Sequence, residues 1–262
     1  MSSMTLTLRD SGTMLRRDLR HTMRNPSFLI ASIGMPVVML LMFVGLFGKS
    51  LGEGVMSGGS GDYIDYVAPG IILMTGAFGS GSTAVSICLD MTEGIVDRFR
   101  TMAIARSSVL TGQVVGSVIR AMISVVLVTC VAFLMGFDPN AHALEWLAAA
   151  GVFAMLTFAL TWLVVAFGLL TKNPAGANTA TMPLQFLPFL SSAFVPTDSM
   201  PAGVRWIAEY QPFTPVTETM RGLLLGGEIG ASAWQSVAWC AGIALVGYVW
   251  SKRLYNNKAA IR

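Results

Sequence analysis

Asp90-Met91-Thr92-Glu93-Gly94-Ile95-Val96-Asp97-Arg98-Phe99-Arg100 is a polar island between two long apolar runs, 66–89 and 112–135. Five of its eleven residues are charged, in a chain that is 54% apolar and only 12% charged. An ordinary soluble domain is about a quarter charged. Crossing a bilayer takes about 20 apolar residues, and both flanking runs reach that length. The island is therefore where the chain leaves the membrane. It holds no metal-ligand cluster, no nucleophile–base pair and no phosphate loop, so it reads as a docking surface.

Working outward, six apolar runs are spans: 27–47, 66–89, 112–135, 146–170, 179–195 and 235–250. Backbone polar groups inside a bilayer must be satisfied within the segment. The runs lack the alternation of barrel strands. The expected fold is thus an all-α membrane protein of six transmembrane helices, one domain over residues 1–262. Residues 1–26 precede the first span, which is too long for a signal core and has no cleavage pattern after it. In that leading segment Leu8, Leu15, Leu19 and Met23 recur at helical spacing among arginines, the pattern of an amphipathic helix at the inner membrane surface.

Basic residues orient the spans. Thirteen of the 17 Lys and Arg fall before span 1, between spans 2 and 3, between spans 4 and 5, and after span 6. Only Lys49, Arg205 and Arg221 fall on the other side, and Arg120 lies inside span 3. Both termini and the island are expected in the cytoplasm. The net charge of +3 follows from this bias and implies no nucleic-acid partner. Cys88, Cys130 and Cys240 lie within spans without motif spacing and read as small buried residues.

Sites of chemistry are missing. Gly48-Lys49-Ser50 has Phe43 where a phosphate loop needs its first glycine. His21 and His142 are the only histidines, and no zinc or serine-hydrolase pattern includes them. A membrane-embedded enzyme is disfavoured, and no cofactor is expected on this chain.

Several features suit a transport path, each with a plain packing alternative. Span 2 carries Gly70, Gly76, Gly79 and Gly81 with Thr75, Ser82 and Thr83. Small residues there line an interface or route, or simply let helices approach. Arg120 either snorkels or pairs structurally, or touches cargo, since intramembrane charges often mark function. Gln185 among Phe186 and Phe189 would suit a greasy amphipathic cargo, or the aromatics pack on lipid. Gly34 and Pro36 predict a kink in span 1, and Gly52–Gly61 a flexible external loop. Residues 196–228, broken by prolines and rich in aromatics, predict two short helices dipping back into the outer leaflet. The island itself predicts a short helix with Met91, Ile95 and Phe99 on one face.

The run Gly94-Ile95-Val96-Asp97-Arg98-Phe99-Arg100, followed by Arg106 and span 3, resembles the loop between spans 2 and 3 of ABC-2 type transporter permeases, above all the daunorubicin-resistance (DrrB-like) group. Phe194-Val195-Pro196 to Met200-Pro201, then Pro212-Phe213-Thr214-Pro215 and Arg221-Gly222-Leu223-Leu224, is similar to that family's segment between spans 5 and 6. Met102-Ala103 stands where the family usually has Leu-Pro, and Gln211 where it commonly has Asn.

The resemblance implies a type V exporter-like layout with a coupling loop over 90–106. It also implies a membrane subunit that pairs with a second permease chain, expected as a homodimer, and docks two copies of a separate cytosolic ATPase carrying the ATP and Mg. Glu93, Gly94, Asp97, Arg98, Phe99 and Arg100 would form the ATPase-coupling helix, and the N-terminal helix a second contact. Thr75, Ser82, Arg120, Gln185, Phe186 and Phe189 are the substrate-path candidates. The expected function is ATP-driven export of a hydrophobic or amphipathic drug or lipid across the bacterial inner membrane. Export of a polysaccharide or lipid-linked glycan, and a non-transporting scaffold, are the alternatives.

Overall fold

The computed structural model describes residues 26–55, 60–92 and 106–261. The expected N-terminal amphipathic helix, and all of the coupling helix beyond Thr92, lie outside the described residues. Within them the chain is all helical: α1 (Pro26–Val55), α2 (Ser60–Thr92), α3 (Arg106–Leu134), α4 (Ala143–Leu170), α5 (Pro174–Phe186), α6 (Ala202–Tyr210), α7 (Phe213–Leu225) and α8 (Ser232–Ile261). Two short 3-10 turns, Leu187–Leu190 and Thr197–Ser199, join α5 to α6.

Among the described residues, four helices contain stretches long and apolar enough to cross a membrane: Tyr63–Thr92, Leu110–Leu134, Ala143–Leu170 and Ser232–Tyr255. At 1.5 Å rise per residue, each matches or exceeds a hydrocarbon core of about 30 Å. In α1 the described apolar stretch is the shorter Ile33–Leu46. Burial sorts these helices into layers. In α2 and α4, 72% and 67% of the apolar window is buried, against 28% in α3 and 17% in α8. A helix apolar all round belongs inside a bundle. Accordingly α4 packs on α2, α3, α7 and α8, and α2 packs on α1, α3, α4, α5 and α7.

Small residues set these approaches. A side chain at Gly168 of α4 would lie 2.5 Å from the Ala84 carbonyl oxygen of α2, and one at Gly247 of α8 would lie 2.7 Å from the Trp162 backbone of α4. In span 2, Gly70 abuts Ala193, Gly76 abuts Thr157 and Gly81 abuts Gln185. Of the two readings of that glycine-rich run, these three glycines serve close packing within the chain.

Three expectations change. The fifth apolar run is not one helix over 179–195. The helix starts earlier, at Pro174, where the Asn173 side chain accepts from the Gly176 N–H, and it ends at Phe186. Pro188 has no N–H to donate to Leu184, and its ring opposes that carbonyl, so the chain tightens into a 3-10 turn. Gly52 to Val55 extend α1, and Ser60 and Gly61 begin α2, so the described part of the expected loop Gly52–Gly61 is helical. Asp90, Met91 and Thr92 belong to the end of α2, where the separate island helix was expected to begin.

The segment 196–228 does form two short helices. They differ in character: α7 is buried through Phe213, Val216, Met220 and Leu224, while α6 exposes Trp206, Ile207 and Tyr210. Gly226, at φ 76°, closes α7 in the left-handed conformation that glycine adopts freely.

Candidate functional site

At the base of α2 and α3, the Gln113 amide donates to the Asp90 carboxylate. Met91 packs with Ile87, Leu110, Val114, Trp162 and Tyr255. The two helices that flank the island are thus tied to each other and to α4 and α8 where the island begins. Glu93, Gly94, Asp97, Arg98, Phe99 and Arg100 themselves lie outside the described residues.

Midway along the bundle, hydroxyls join three helices. The Thr83 hydroxyl donates to Ser117 Oγ at 2.8 Å, and Thr161 Oγ1 reaches the same Ser117 oxygen at 3.5 Å. Arg120 Nη2 donates to Thr83 Oγ1 at 3.3 Å. Because α3 begins at Arg106, Arg120 is about four turns along it. Its guanidinium crosses to α2. Thr75, fully buried, donates to the Ile71 carbonyl, and Ser82 donates to the Gly79 carbonyl. Both hydroxyls therefore serve their own helix.

On the other side of α2, Gln185 Nε2 donates to Thr181 Oγ1 at 3.3 Å and rests against Gly81. Phe186 and Phe189 continue into an aromatic file. Phe189 stacks on Phe194 at 5.3 Å and 7°, and Phe194 meets Phe43 of α1 at 4.6 Å. The structure therefore brings Gln185, Phe186 and Phe189 together and leaves Arg120 across α2 from them. Thr75 belongs to neither group.

Sequence reasoning gave Arg221 no role beyond an external charge and a place in the Arg221-Gly222-Leu223-Leu224 run, yet among the described residues it is multiply bonded. Its side chain is only 14% exposed. Nη2 donates to the carbonyls of Tyr66 (3.1 Å) and Ser192 (3.0 Å), and Nη1 to Glu218 (2.8 Å). The guanidinium carbon lies 3.8 Å above the Tyr66 ring, a cation–π distance. Tyr66 Oη donates to the same Ser192 carbonyl at 2.9 Å, and Ser192 N donates to Thr214 Oγ1.

These bonds have one physical cause. Residues 191–195 form no regular element and Ser192 is buried, so its backbone groups need partners from elsewhere in the protein. Arg221, Tyr66 and Thr214 supply those partners. The available signal was Arg221 one helical turn after Thr217-Glu218, on a helix opened by Phe213-Thr214-Pro215.

Among the described residues no group of three or more His, Cys, Asp or Glu gathers as a metal site. A cavity of about 270 Å³ lies between α2, α3, α4 and α7, lined almost wholly by apolar side chains.

Comparison with known proteins places this arrangement. The chain is 28% identical over 239 residues, 90% of itself and 82% of the relative, to the daunorubicin resistance ABC transporter permease protein DrrB1 of Streptomyces coeruleorubidus. It is 22% identical over 180 residues, 69% of itself and 65% of the relative, to a probable doxorubicin resistance ABC transporter permease protein, DrrC, of Mycobacterium tuberculosis. The putative transport permease ycf38 of Porphyra purpurea is 25% identical over 79% of the chain and 71% of the relative. The ABC-2 type transporter family profile matches residues 10–225. An all-helical bundle with membrane-length apolar helices, matched over most of its length by that profile, is an integral membrane protein that belongs to the ABC-2 type transporter family.

Proposed function

We propose that this chain is the membrane subunit of an ATP-driven exporter that moves a hydrophobic or amphipathic small molecule, a drug or a lipid, out of the cell. The observation that carries this reading is the match over 90% of the chain to a permease named for daunorubicin resistance. A further relative named for probable doxorubicin resistance supports it.

Energy then comes from a partner. A separate cytosolic ATPase, in two copies, holds ATP and Mg, and two copies of this chain form the path. Glu93, Gly94, Asp97, Arg98, Phe99 and Arg100 receive the ATPase motion. They pass it to α2 and α3, whose ends the Asp90–Gln113 bond joins. The aromatic file from Phe186 to Phe43 and the amide of Gln185 offer an apolar route with one hydrogen-bonding group. The basic bias sets both termini in the cytoplasm, with the chain in the bacterial inner membrane.

The test is accumulation. Cells lacking the gene should retain more of an anthracycline or comparable amphipathic compound, and the wild-type gene should restore efflux. Unchanged accumulation across a panel of such compounds would contradict the cargo class.

A further inference from the structure

The cavity of about 270 Å³ opens sideways out of the bundle. Phe153 of α4 and Met220 and Leu224 of α7 are buried at its floor. Val126, Cys130 and Phe133 of α3 are exposed at its mouth. Among its lining side chains only Thr129 and Trp146 carry an oxygen or nitrogen. Water needs two to four polar partners to reside in a cavity, and an apolar cavity of about 150 Å³ already takes up benzene.

The surroundings name the occupant. The mouth lies on α3, which has little of its apolar window buried and exposes Ile123, Val126, Leu127, Phe133 and Leu134. A face like this on a membrane-length helix meets hydrocarbon. The α3–α4 turn beyond Phe133 and before Trp146, both of which line the recess, carries the exposed Asp138 and His142. Trp146 sits one turn further in, the order expected from headgroup to acyl region.

We propose that one acyl chain of a membrane glycerophospholipid occupies this recess, with its headgroup at the Asp138–His142 turn. The chain then rests on Met220 and Leu224, the neighbours of Arg221 on α7, and supports the helix that holds the irregular backbone at Ser192. The site is independent of which cargo is exported.

Trp146 is the reporter. The full chain in detergent is titrated with phosphatidylcholine brominated along one acyl chain, and the fluorescence of Trp146→Phe is subtracted. The Trp146 signal should fall to a plateau at one lipid per chain. Ala150→Phe, which fills the recess from α4, should abolish that saturable phase while the elution profile stays unchanged. Because a filled variant can misfold, native mass spectrometry of the unaltered chain is the second measurement, and a phospholipid adduct that survives delipidation is expected. Quenching that grows linearly with lipid, with no adduct, would overturn the proposal. So would adduct-free chains that form a Cys130–Cys130 disulfide between copies, which would place a second copy over the recess.

Discussion

Arg221 carries more of the architecture than any other single polar side chain described. Its planar fork serves two carbonyls, Tyr66 and Ser192, and stacks on an aromatic ring, a geometry that lysine cannot reproduce. A hydrogen bond from a charged group contributes about 1.5–3 kcal/mol, and stranding a buried acceptor costs about 1–3 kcal/mol. Arg221→Ala should therefore lower stability by roughly 2–4 kcal/mol, seen as a clear drop in the thermal midpoint of the purified chain. Arg221→Lys should fall between the two. The hydroxyl cluster at Thr83 is weaker. Interhelical hydrogen bonds in membrane proteins average about 0.6 kcal/mol and reach about 1.7 kcal/mol, so Thr83→Val should cost that much. Cargo selectivity should not change, because the Thr83 oxygen serves Ser117 and Arg120 and Thr83 does not line the apolar recess. A selectivity change on Thr83→Val, read by comparing efflux of two drugs, would move this cluster into the path. Sequence reading found Arg120 because an intramembrane charge stands out by itself. It could not find its partner, since nothing in a lone threonine signals which helix it meets.

Among elements, α2, α3 and α4 were plain in the sequence because continuous apolar runs of bilayer length have no alternative to the helix. The fifth run was not. Two local signals, Asn173 as N-cap with Pro174 after it and Pro188 as a stop, mark a short helix and were outweighed by overall hydrophobicity. Glycine content misled in the other direction at Gly52–Val55, where α1 stays helical through residues with poor propensity. Within the bundle, helix approach depends on position more than on composition. At Gly168 a methyl group would press on the Ala84 backbone, whereas at Gly151 of the same helix nothing lies within 4 Å. Gly168→Ala should cost about 1–3 kcal/mol by overpacking. Gly151→Ala should be neutral or gain up to about 1 kcal/mol from helix propensity. Thermal unfolding of the two variants in one detergent checks the contrast.

For the whole molecule, the polar island acquires meaning from what holds its two ends. Asp90 and Gln113 join α2 to α3, and a cluster including Trp162 and Tyr255 joins both to α4 and α8. A push on residues 93–100 would thus reach four helices at once rather than one loop. Glu93→Ala with Arg98→Ala should leave the chain folded and still able to bind the proposed partner ATPase weakly, while cargo-stimulated ATP turnover falls by an order of magnitude or more. Turnover equal to wild type in an intact complex would remove those residues from the coupling role. The most direct measurement of the account as a whole is transport in a closed system. The chain and its ATPase are reconstituted into proteoliposomes, and movement of an anthracycline across the bilayer is followed with and without ATP and Mg. Drug movement should require both proteins and hydrolysable ATP and should be lost with Glu93→Ala and Arg98→Ala. Drug distribution identical with and without ATP, in vesicles whose ATPase is bound and hydrolysing, would contradict it.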